Sequence, residues 1–225
     1  MNQLSYYSHD MASTSVQSDG AGVPRRYRSP RRLQQAEQTR QLVIEAATRL
    51  FAERGWTATG MRDIAREAGV ATETVYAHFS SKTGLFQAAM DVAVVGDSAP
   101  VAVAERPEFV ALAAGSRHDR IVAAARLTTD VQRRTKAFAK VLREAAPTDE
   151  VIAQMLRATR ERQRLDIAAG AAHVMGRVPS ERERDGLWAL LSVEVFLLLT
   201  EQSGWSTEQY QAWLTDAMAS LIPDS

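Results

Sequence analysis

Cysteine is absent from the 225 residues, and its absence excludes disulfides, thiolate metal sites and a cysteine nucleophile. Net charge is lacking too, since 27 Lys+Arg balance 27 Asp+Glu. That excludes a uniformly basic nucleic-acid coat and a strongly acidic solvating chain. No apolar run approaches the roughly 20 residues that cross a bilayer. The most apolar stretch, LWALLSVEVFLLL from Leu187 to Leu199, is thirteen residues long and contains Glu194; it reads as a buried helix, and no membrane partner is expected. The opening MNQLSYYSHD has neither a basic start nor an apolar centre, so no signal peptide is expected. A cytoplasmic location fits these absences. Alternation of period 2 is missing as well, which argues against a sheet. What is present, 45% hydrophobic and 24% charged residues, is ordinary for a folded chain of one or two domains.

Residues 1–32 are rich in Ser, Gly, Pro and Tyr without helical or strand period, and are expected to be a disordered arm; Met11 is an alternative start. The arm ends in Arg25, Arg26, Arg28, Arg31 and Arg32. Either it is a solubilising tail, or it touches phosphates and adds affinity without sequence information.

From Gln34 the pattern is helical. Val43, Ala46, Ala47, Leu50 and Phe51 form an amphipathic stripe that Gly55 is placed to end. A second helix follows Gly60, with Asp63 near its positive end and Ile64, Ala65 and Ala68 inward. Gly69-Val70-Ala71 leaves room only for a sharp turn before a short third helix, Thr72 to His78. Phe79 closes the unit, and Ser81 opens a fourth helix with Leu85, Phe86 and Ala89, ending before Gly96. Beyond it, Pro107 opens a short helix that Gly115 ends, and Ser116 with Asp119 opens a long one limited by Pro147. Inward positions of the long helix are Ile121, Ala125, Thr128, Val131, Thr135, Phe138 and Leu142. Asp149 starts another, with Ile152, Met155, Leu156 and Thr159 on one side, and capping boxes at Ser180/Glu183 and Ser206/Gln209 start two more. The expectation is an all-α chain of about nine helices, with a helix-turn-helix domain over 33–82 and a larger helical domain over 83–225.

Two short helices across a tight glycine turn match the geometry in which the second helix enters the DNA major groove. An ordinary helical hairpin has the same pattern. The residues decide further: RQLVIEAATRLFAERGW and ATGMRDIAREAGVATETVYAHFSSKTGLF, between Arg40 and Phe86, resemble the N-terminal domain of the TetR family of transcriptional regulators. The helix ending in ERGW, the RDIA-x-x-AGV element and the VY-x-HF-x-SK element stand in order at the family's spacing.

That resemblance implies a DNA contact surface made by Arg62, Thr72, Glu73, Thr74, Tyr76, His78 and Lys82. Arg62 suits bases or phosphates, because its donor fork matches guanine edges and phosphate oxygens alike. Thr72, Glu73 and Thr74 fall in the first turn of the recognition helix, where hydroxyls meet a thymine methyl, a base edge or a phosphate. Glu73 either accepts from a cytosine amino group or only stabilises the helix dipole. Tyr76, His78 and Lys82 correspond to phosphate contacts that fix the register, with packing the alternative for Tyr76 and His78. Val75 and Phe79 are expected to anchor the helix. Two departures stand out: Ala71 occupies the place of a capping Ser or Thr, and Gly60 that of a hydroxyl residue. If Thr72 caps instead, its hydroxyl is occupied and its contribution to base reading falls away.

The resemblance further implies that the rear domain binds an unidentified small-molecule effector and forms a homodimer through helices near 180–201 and 206–221. The near-continuous apolar surface of Leu187–Leu199 supports pairing on a second side. Pocket candidates are polar residues near apolar faces, namely Thr128, Gln132, Thr135, Thr159, Gln163 and Glu194, each of which equally suits a satisfied buried or surface role. Trp188, Trp205 and Trp213 read as core or interface. His9, His78, His118 and His173 lack the spacing of a helical metal site, and no G-x-S-x-G, P-loop or G-x-G-x-x-G is present. No cofactor, metal or enzyme activity is expected. The expected function is a repressor released from a palindromic operator by a ligand, with an effector-independent or activating DNA binder as the alternative and a small helical enzyme last.

Charge is unevenly distributed. Arg25 to Lys82 holds 11 basic and 6 acidic residues, whereas 83–225 holds 16 basic and 19 acidic. A modestly basic front is what phosphate contact requires.

Overall fold

In the computed structural model the described residues are 30–97, 101 and 105–222, and they are helical with no strand among them. The chain divides into two compact units, with the boundary between Ala89 and Met90. Residues 1–29, including Arg25, Arg26 and Arg28, lie outside the described residues.

The first unit is built from α1 (Pro30–Arg54), α2 (Met61–Glu67), α3 (Thr72–His78) and most of α4 (Lys82–Val95). Helix α1 starts at Pro30, so Arg31 and Arg32 stand in its first turn rather than in an arm. Proline's fixed φ and missing N–H suit a first helical position. The expected stripe is the packed face: Val43, Ala46, Ala47, Leu50 and Phe51 are buried with Ile64, Ala65, Val75, Phe79, Leu85, Phe86 and Ala89. Because Leu85, Phe86 and Ala89 belong to this core, the division falls inside α4 and not at residue 82. Phe51, Trp56 and Phe86 lock it edge to face, with centroids 4.9 Å apart for Phe51–Phe86 and 5.6 Å for Trp56–Phe86.

The second unit holds the C-terminal turns of α4, then α5 (Pro107–Val110) continued by a 3-10 turn to Ala113, α6 (Arg117–Ala145), α7 (Glu150–Met175), α8 (Glu181–Leu190), α9 (Val193–Leu197) with a π turn over Leu198–Gln202, and α10 (Thr207–Leu221). Caps fall where the sequence places them. Ser116, Ser180 and Ser206 each accept from the third helical N–H while the residue there accepts from the cap's own N–H. The core gathers Ile121, Ala124 and Ala125 of α6, Ala171, Val174 and Met175 of α7, Leu187 of α8, Val193, Phe196 and Leu197 of α9, and Tyr210, Leu214 and Met218 of α10. Trp205 and Trp213 pack edge to face at 6.1 Å, both half-buried, with Trp213 against this core. Among the described residues no helix is long and apolar enough to cross a membrane.

Two expectations are corrected here. The helix expected through Leu187–Leu199 is interrupted: Ser192 caps a new start by accepting from Val195 N at 3.4 Å, so α8 and α9 are separate. A hydroxyl that can bond the backbone locally competes with helix continuation. On α6 the buried polar positions are Thr129, Gln132 and Thr135, while Thr128 and Val131 are only half-buried. The inward stripe drifts over 29 residues, because 3.6 residues per turn does not keep a fixed step of three or four.

Candidate nucleic-acid interface

Glycine at 69 makes the interface possible. Its φ of +68° is left-handed, a conformation L side chains resist. After it Gly69 N and Val70 N bond back to Arg66 O and Ala65 O at 3.2 and 3.0 Å, and the chain enters α3 within two further residues. Helix α2 lacks a side-chain cap at Gly60, but the Asp63 carboxylate accepts from Gly60 N at 3.2 Å, and Asp63 also pairs with Arg66 at 2.5 Å. Half of a capping box therefore survives without the hydroxyl.

Helix α3 has Ala71 as its N-cap, in extended conformation with no side-chain cap bond. Thr72 is the first helical residue and does not substitute as the cap. Val75 is fully buried and Phe79, at the C-terminal cap, nearly so. These two seat the helix. The opposite face is left to solvent: Glu73, Tyr76 and Ala77 are exposed, and Thr72, Thr74 and His78 are half-buried. Tyr76 has 52% of its surface open. The imidazole of His78 lies 6.3 Å from the Phe79 ring, tilted by 44°. Arg62 is exposed on α2.

Lys82 is where the structure says most that the sequence does not. Its ammonium lies 4.1 Å from the Trp56 ring centroid and donates to the Trp56 carbonyl oxygen. Thr59 is a second unforeseen residue: buried in the loop between α1 and α2, it donates to Gly55 O at 2.8 Å and Leu50 O at 3.1 Å. Both join turns that lie apart along the chain, for which the only local signal is the W following the ERG that ends α1.

In the second unit, three of the polar residues considered for a ligand pocket, Gln132, Thr135 and Glu194, are engaged with the protein. Gln132 donates to Leu191 O at 2.6 Å, the carbonyl left by the interruption between α8 and α9. Thr135 bonds back to Val131 O at 2.8 Å, and Glu194 pairs with Arg160 at 3.3 Å and Arg143 at 3.9 Å. Thr159 is half-buried and Gln163 exposed.

A short, glycine-terminated helix crossing into a second short helix with an open polar face is a helix-turn-helix domain, the first unit's structural class. Residues 43–89 match the family model described as bacterial regulatory proteins, tetR family. That segment, the core of the first unit, is thus similar to the DNA-binding domain of TetR-family regulators. The regulator AcrR of Shigella flexneri is 42% identical over 53 residues, which are 24% of this chain and 25% of that protein. The transcriptional activator FasR of Mycolicibacterium smegmatis is 38% identical over 81 residues, 36% of each chain. The matched segments thus span only about a quarter to a third of these curated relatives' lengths. Similarity of fold extends further. A Rhodococcus sp. protein assigned to the TetR family superposes with a TM-score of 0.64 at 21% identity, covering 83% of this chain and all of that one. The multidrug binding protein EbrR, solved with imidazole, superposes with a TM-score of 0.56 at 20% identity over 90% of this chain and 98% of its own.

Proposed function

We propose that this chain is a cytoplasmic, homodimeric, sequence-specific DNA-binding repressor released from its operator by a small molecule. The observation that carries the reading is α3 itself, seated by Val75 and Phe79 while Thr72, Glu73, Thr74 and Tyr76 face outward. Arg62, Thr72, Glu73 and Thr74 are assigned to base edges and nearby phosphates, and Tyr76, His78 and Lys82 to phosphates that fix register. A free Thr72 hydroxyl, not consumed as a cap, supports its place in this set. Lys82 would contact DNA from a position already steadied by Trp56.

Pairing of two chains through the helices near 180–201 and 206–221 would set two recognition helices about one DNA turn apart on a palindromic site. Leu198 and Leu221, half and two-fifths exposed on these segments, supply apolar surface for such a partner. The effector would act by favouring the conformer whose recognition helices are wrongly spaced. The multidrug binding protein EbrR, solved with imidazole, supports a small organic molecule as the effector, while the engaged Gln132 and Thr135 argue that they hold the fold.

Footprinting of the DNA upstream of the chain's own gene tests the reading. Protection of a two-fold symmetric site, lost on adding a compound that also raises the protein's melting temperature, is the expected result. Transcription from that site should fall when the chain is supplied; a rise would replace repressor by activator, and no protected site would end the reading.

A further inference from the structure

Helix α1 is longer than its domain needs. It runs for 25 residues from Pro30, yet Val43 is its first buried residue and 31–38 are all exposed. The projecting turns carry Arg31 and Arg32, and the first acidic residue on the helix, Glu37, is taken by Arg40 at 3.8 Å. A direction can be assigned from cross-helix contacts. Arg49 pairs with Glu67 at the end of α2 at 3.1 Å, whereas Arg40 lies 5.5 Å from the Phe79 ring, at the C-terminal end of α3. Going toward its N-terminus, α1 therefore leaves the domain past the C-terminal end of α3, which carries Tyr76 and His78, and away from its own C-terminal end, where Lys82 meets Trp56. The nine residues from Arg40 back to Arg31 carry the helix about 13 Å further at ~1.5 Å per residue.

We propose that Arg31 and Arg32 are a second phosphate-contacting element, lying on the DNA backbone outside the half-site read by α3. The inference rests on the DNA-binding reading above and adds to it a site on a different helix. Charge and placement support it: two exposed guanidiniums project past the end of α3 that carries Tyr76 and His78, in the most basic part of the chain. Guanidinium forks match phosphate oxygens without reading bases. The contribution is accordingly to affinity and salt dependence, with sequence preference left to α2 and α3.

The test is a salt titration of full-length wild type, Arg31→Ala/Arg32→Ala and Arg31→Lys/Arg32→Lys on one operator fragment and one scrambled fragment. Both exchanges suit an exposed helix, and circular dichroism checks that each folds. For the alanine variant, the slope of log K against log salt should become shallower by about 0.9 for each phosphate no longer neutralised, on both fragments. The operator-to-scrambled ratio should be unchanged, and the lysine variant should keep the wild-type slope. Equal slopes for wild type and the alanine variant would overturn the inference while leaving the regulator reading intact. A wild type with no operator preference, but with the slope change present, would instead end the regulator reading and keep the basic helix as a phosphate-binding element.

Discussion

Lys82 holds its ammonium 4.1 Å from the centroid of the Trp56 ring while donating to the Trp56 carbonyl oxygen. Trp56 in turn stacks on Phe51 at 5.8 Å and meets Phe86 edge to face. The first turn of α4 is thereby tied to the end of α1, on the domain that presents α3. A residue expected to be a simple phosphate contact thus also carries part of the domain's packing.

Replacing Lys82 by alanine should therefore do two things. Removing the cation–π interaction and the hydrogen bond should lower domain stability by about 1–2 kcal/mol, seen in a denaturant midpoint. DNA affinity should drop about equally for all sequences, with a flatter salt dependence. If the melt is unchanged and only binding falls, the Trp56 interaction carries no stability.

Ala71→Ser should stabilise the protein. Ala71 is exposed and extended at the N-cap of α3, with no side-chain bond to the helix. A hydroxyl there supplies the missing acceptor, worth about 0.5–2 kcal/mol. A lowered denaturant midpoint would show that the cap geometry is not what the backbone angles indicate.

Thr74→Ala and Tyr76→Phe should part company. Removing the Thr74 hydroxyl should alter which bases are preferred in a selection from randomised half-sites. Removing the Tyr76 hydroxyl should weaken binding to every sequence by a similar factor, with the preference kept. The reverse pattern would mean that reading and positioning are exchanged between the two residues.

The start of α8 should be acid-sensitive. The Glu183 carboxylate accepts from Arg177 at 2.7 and 3.0 Å and from Ser180 N and Oγ at 2.7 and 2.8 Å. Arg177 first, then Ser180, hold its pKa down at about 2 against an ordinary 4.5. A folded value below the unfolded one means that the stabilisation is complete above pH 4.5 and lost as pH falls toward 2. The stability gap between wild type and Glu183→Gln should accordingly shrink through that window; a gap that grows with acid would contradict the assignment.

The first unit was legible in the sequence because its signals are local. Gly55 and Gly69 mark turns by their positive φ, and the Val43–Phe51 stripe has one helical phase over a short span. The same logic found the caps at Ser116, Ser180 and Ser206. It failed where position in space decides. Leu187–Leu199 is apolar almost throughout, so the lone Ser192 hydroxyl that caps the restart is masked by its neighbours, and the bond from Gln132 of α6 to Leu191 O comes from a distant part of the chain. On α6 a phase drift put Thr128 where Thr129 is buried. For the interface, the outward face of α3 was legible from Val75 and Phe79, whereas the seat of Lys82 depends on Trp56, 26 residues earlier.

Whether α3 and its neighbours read a specific DNA sequence is decided by an equilibrium titration. Purified full-length chain is titrated onto a labelled palindromic fragment recovered by footprinting and onto a scrambled fragment of the same length, at the same near-physiological salt. Preference for the palindrome by about a thousandfold or more is expected of a sequence reader; equal affinity for the two fragments would mean that α3 reads no sequence.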